Sequence, residues 1–124
     1  MVNKKNGRDD SPLSIEEINR IDSTGLSSID RHHLRLIAHS LACFKLISHG
    51  ANSGPLPKEN ERLKWLLVQP SLNNEKIFVN DLLDQLASAA LQLETIADQF
   101  NISPLELTLE ELIKSRLRSI SHEH

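Results

Sequence analysis

Apolar side chains recur at Val79, Leu82, Leu86, Ala89, Leu93, Ile96 and Phe100, at spacings that alternate between three and four residues. That rhythm predicts one long helix whose stripe packs against other helices. A parallel row, Leu83, Ala90 and Ala97, repeats at sevenfold spacing beside it. The helix is therefore expected to touch two neighbours, and the small side chains of the row suit close approach of a second copy of the chain.

Four more helices follow from their start and stop signals. Ser14 and Glu17 form a capping box that opens a short helix with Ile15, Ile18 and Ile21, ending before Gly25. Ser27 with Asp30 opens a second helix running to about Ser48, where Gly50 stops it. Leu34, Ile37, Leu41 and Phe44 make one seam on it, and Leu36, Cys43 and Ile47 make another. Gly54, Pro55 and Pro57 force a loop, and a third helix spans roughly Lys58 to Gln69 with Leu63, Leu66 and Leu67 facing inward. Pro70 closes it, because a proline biases the residue before it away from helical geometry. The long fourth helix starts either at Glu75 or after Asn80, and Asn101 offers a left-handed stop. Thr108 with Glu111 opens the last helix, which buries Leu109, Leu112, Ile113, Leu117 and Ile120. Lys114, Arg116 and Arg118 near its end complement the helix dipole. The fold expected is all-α: a bundle of four main helices plus a short N-terminal one, over residues 12–121, preceded by a disordered polar tail over residues 1–11.

Composition supports that class. The chain has 124 residues, of which 39% are hydrophobic and only 3% aromatic, a balance that favours helix-on-helix packing over a sheet. Scarce aromatics also weaken any case for stacking nucleobases. The net charge is −3, whereas a protein that lives on phosphate backbones carries a basic excess. A single cysteine, Cys43, excludes an intramolecular disulfide. No apolar run reaches the length of a membrane span, and the start MVNKKNGRDD lacks the apolar core of a signal peptide, so cytoplasmic residence is expected.

Candidate chemistry is thin. Ile96, Ala97, Phe100, Asn101, Ile102, Ser103 and Leu107 resemble a helix-turn-helix. The alternative reading is accordingly a DNA-binding regulator using residues 96–112. The would-be recognition helix, however, carries Glu106, Glu110 and Glu111, which phosphates repel. A tight turn between two packed helices is the simpler account.

Six histidines invite a metal, but no two are one helical turn apart. His32 and His39 stand roughly 10 Å apart along a helix, too far for one ion. No metal or cofactor is expected. Glycine-rich phosphate loops and nucleophile elbows are absent from the sequence, so no catalytic residue is assigned and the chain is read as a non-enzyme. Arg31, His32, Arg35 and His39, continued by Lys45 and His49, form a basic strip able to take an acidic partner or an anion, or merely a solvated face. Trp65 either covers part of the core or anchors a partner.

The function these features support is a small helical protein-interaction module: an adaptor, assembly factor or regulator. Its expected partner is another protein or a second copy of itself, through Trp65, Leu83, Ala90 and Ala97. Binding to nucleic acid or membrane is not expected.

Overall fold

Local chemistry sets each helix boundary. In a computed structural model describing residues 13–69 and 76–122, the side chains of 76–78 and 121–122 excepted, five α-helices run in order. They are α1 (Ile15–Asp22), α2 (Ser28–Ile47), α3 (Glu59–Leu67), α4 (Lys76–Phe100) and α5 (Leu109–His122), with a 3₁₀ turn at Pro104–Glu106 between the last two. No strand occurs among the described residues, and the all-α expectation holds. The expected tail over residues 1–11 and the closing role of Pro70 lie outside the described residues.

The capping box opens α1 reciprocally: the Glu17 amide donates to Ser14 Oγ at 3.1 Å, and the Ser14 amide donates to Glu17 Oε1 at 3.0 Å. Ser27 Oγ accepts from the Asp30 amide at the start of α2. Two helix ends use left-handed residues, His49 (φ 58°) after α2 and Asn101 (φ 57°) after α4. In each case an amide reaches back five residues, Gly50 to Lys45 O at 2.7 Å and Ile102 to Ala97 O at 3.1 Å. His49, the last residue of the expected basic strip, therefore lies past the end of α2.

The long helix begins at Lys76, the earlier side of the two starts left open by pattern. Its stripe faces inward as expected, with Val79, Leu86, Ala89 and Leu93 buried. It packs on both α2 and α3, and it also meets α5 and the 3₁₀ turn, so two contact rows serve neighbours within the chain. Every helix contributes to one apolar cluster, through Ile21 of α1, Phe44 of α2, Leu66 of α3, Leu93 of α4, and Leu112 and Ile113 of α5.

Several apolar positions turn outward instead. Ile15, Leu36, Leu67 and Leu117, all expected inside, are exposed. Each lies at the edge of its helix's apolar arc, where the five-helix arrangement offers no neighbour.

Candidate interaction groove

The segment between α4 and α5 is tied down residue by residue. The Gly54 amide donates to Ser103 Oγ at 2.9 Å, and the Leu105 amide donates to Gly54 O at 3.1 Å. Lys45 Nζ, from the basic strip, donates to Leu107 O at 2.8 Å, and Leu107 is fully buried. Ser103 and Thr108 are engaged as helix-start residues, paired with Glu106 and Glu111. The Thr108 amide donates to Glu111 Oε1 at 2.6 Å, and the Ser103 amide donates to Glu106 Oε2 at 3.0 Å. Those bonds, led by the side-chain hydroxyls of Ser103 and Thr108, hold both carboxyls below the usual carboxylate range. The helix-turn-helix likeness at residues 96–112 thus corresponds to a 3₁₀ turn and a helix that restarts only at Leu109.

This connection sends α5 back along α2. Near the start of α2, Arg116 of α5 reaches Asp30: Nε donates to Oδ1 at 2.9 Å, and Nη2 donates to the same oxygen. Hydrogen bonds from Arg116, then from Ser27, depress the Asp30 pKa. On the α4 side, Ser115 Oγ donates to Gln99 Oε1 at 3.0 Å, and the Arg118 guanidinium sits 4.8 Å from the centre of the Phe100 ring.

Between these ties α2, α4 and α5 leave a groove of about 600 Å³. Its floor is apolar, made by Leu34 and Ile37 of α2, Ile96 of α4 and Leu112 of α5. The rim is polar. Gln92, Thr95 and Gln99 line it from α4, while Ser115, Arg116, Arg118 and Ser119 line it from α5 and His33 from α2. A smaller hollow of about 230 Å³ lies between Glu17, Ala42, Lys45 and Leu109.

The residues singled out by sequence are placed elsewhere. Ala90 and Ala97 are buried and Leu83 is half-buried, so the two alanines of that row pack inside the chain. Trp65 is half-buried against the core. The basic strip is largely consumed by the fold. Arg31 Nη1 donates to Leu26 O at 3.0 Å, Arg35 Nη1 pairs with Asp22 at 3.0 Å, and His39 is half-buried, its pKa lowered by desolvation. Only His32 of that quartet is exposed. Cys43 is buried in apolar surroundings, which push its thiol up to about 11 and leave it a poor nucleophile at neutral pH. Among the described residues, no three His, Cys, Asp or Glu side chains gather as a metal site would require. Likewise, no helix is long and apolar enough to cross a membrane.

Sequence reasoning passed over the groove. Its one legible trace is the uncharged polar row Gln92, Thr95 and Gln99, flanking Ile96 at three- and four-residue spacing. Arg116 and Arg118 are legible only as a complement to the α5 dipole.

Residues 13–121, nearly the whole chain, match the family described as NDH complex assembly factor CRR9. No curated protein and no solved structure matches the chain.

Proposed function

The chain belongs to the NDH complex assembly factor CRR9 family, and from that premise we propose that it promotes assembly of an NDH complex by direct protein contact and without catalysis. The observation that carries this reading is the length of the match, which takes in α1 to α4, the segment that joins α4 to α5, and α5 up to its last residue. The groove supports it: an apolar floor under a polar rim is the layout of a contact surface, with burial at the centre and hydrogen-bonding groups at the edge. The residue chemistry is consistent with it too, since the Cys43 thiol is buried with a raised pKa and the two acid–hydroxyl pairs sit at helix starts.

Self-association belongs to the same proposal in a different form. Because Ala90 and Ala97 are taken up inside the chain, a homodimer would have to use outward side chains such as Leu91, which is 69% exposed. Sedimentation velocity at micromolar concentration distinguishes monomer from dimer. Cytoplasmic residence is likewise proposed from composition, and fractionation of the host cell checks it. The DNA-binding alternative draws no support from residues 96–112, where Ser103 and Thr108 serve as caps and Glu106 and Glu110 are exposed.

The deciding experiment removes the chain from its native host. Accumulation of the NDH complex, followed on native gels, should fall and should return with the wild-type chain. Unchanged NDH complex in the deletion strain overturns the assembly reading.

A further inference from the structure

We propose that the groove between α2, α4 and α5 receives one amphipathic helix of a partner protein, its apolar stripe on the floor and its carboxylates against the Arg118 side of the rim. The proposal deepens the assembly reading and rests on it, by naming the chemistry of the contact.

Three observations on the groove converge on that occupant. The first is the material of its walls. Among the described residues, its lining comes from three helices, whose backbone groups are bonded within those helices except in their last turns. A strand laid there would find no sheet edge to pair with, and its own amides would be stranded over Leu34, Ile37 and Leu112. A helix brings its backbone bonds already made.

The second is size. Gln92 to Gln99 on α4 and Leu112 to Ser119 on α5 each span eight residues, roughly 10 Å of helix. That length and a volume of about 600 Å³ suit two turns of a helix inserting side chains at i, i+4 and i+7.

The third is charge. The whole chain carries −3 at pH 7, and α4 shows Asp84, Glu94 and Asp98 to solvent. The groove reverses that sign locally, with Arg116 and Arg118 on its rim and no carboxylate among the described lining residues. Asp30 already holds Arg116, whereas Arg118 lies over the Phe100 ring with no ion pair among the described residues. Arg118 therefore carries charge available to a partner carboxylate. An acidic segment meets Arg118 here, whereas Asp84, Glu94 and Asp98 on the outer side of α4 repel it, which favours docking at this rim.

The test uses the full-length chain and a fluorescein-labelled, lactam-locked helical peptide of about fourteen residues, with Leu at i, i+4 and i+7 and Glu on both flanks. A control peptide has Lys at every Glu. By fluorescence anisotropy at low salt, the Glu peptide should bind about tenfold more tightly than the Lys peptide, with the preference shrinking as salt rises. Arg118→Glu should abolish or invert the preference. Thr95→Trp, at an exposed rim position, should weaken both peptides about tenfold by filling the groove while leaving the circular dichroism melt unchanged. Equal binding of the two peptides, no binding, or binding indifferent to Thr95→Trp overturns the proposal. So does a dimer that Thr95→Trp dissociates in sedimentation, since a second copy is then the occupant. In the host, the Thr95→Trp chain should fail to restore the NDH complex. Restoration by wild type and Thr95→Trp alike refutes the groove proposal and leaves the assembly reading standing. A complex indifferent to the wild-type chain refutes the assembly reading itself, whatever the peptides do.

Discussion

Among the described residues, Ser40 is the one buried polar residue of the core, 1% exposed on the inner side of α2, and its hydroxyl has no hydrogen-bond partner there. A desolvated hydroxyl without a partner costs free energy that an apolar side chain of similar size does not. Ser40→Ala should therefore raise stability by about 1 kcal/mol, read as a higher urea midpoint at unchanged m-value. A fall in the midpoint would show that the hydroxyl is bonded. Neighbouring positions on α2 illustrate how residue type and role part company. Arg31 and Arg35 look like binding groups in the sequence, yet each reaches back to the segment before α2, one to the Leu26 carbonyl and the other to Asp22. A cation's sequence context does not say which acceptor lies within its reach.

At the scale of elements, α4 shows what periodicity can and cannot do. Its stripe is legible without coordinates, because alternating spacings of three and four residues fit only a helix, and its contact with two neighbours follows from the second row. The identity of those neighbours does not follow. Leu83, Ala90 and Ala97 suit a second copy as well as an adjacent helix, and only the structure shows Ala90 and Ala97 buried within the chain. This yields a paired prediction. Ala90→Glu places an unpaired carboxylate in the core and should cost more than about 3 kcal/mol, whereas Leu91→Glu, one residue on and exposed, should change stability by under about 0.5 kcal/mol. Chemical denaturation of the two variants checks both; equal effects would place the row on the surface. Caps behave more simply. Ser14, Ser27 and Thr108 are readable as helix starts because the bonds they make are local, three residues along the same chain.

For the molecule as a whole, stability should depend on pH in two limbs. His39 is half-buried and desolvated, so its folded pKa lies below the ordinary value near 6.5. The unfolded chain then binds more protons there, and the contribution of neutral His39 is complete above about pH 6.5 and declines as pH falls from there to the folded value. Asp30, Glu106 and Glu111 have folded values below the ordinary carboxylate range, held by Arg116, Ser103 and Thr108 respectively. Their contribution is present above about pH 4 and disappears as pH drops through the folded values. The melting temperature should accordingly decline in a shallow upper limb and a steeper acid limb. His39→Gln should remove the upper limb alone. An upper limb that survives in that variant assigns it to another group.

The sequence by itself determined the helices, their capped starts, their left-handed stop at Asn101 and the apolar stripe of α4, because each depends on residues within about two turns of one another. Tertiary structure decided everything that needs three helices at once. It sent the basic strip into contacts within the fold, enclosed the alanine row, and opened a groove where Leu34, Ile96 and Leu112 converge from separate elements. The physical reason is that capping and periodicity are properties of neighbours along the chain, whereas a concave surface is set by the distances between helix axes. Those distances follow from long-range ties such as Lys45 to Leu107 and Arg116 to Asp30, whose partners lie far apart in the sequence.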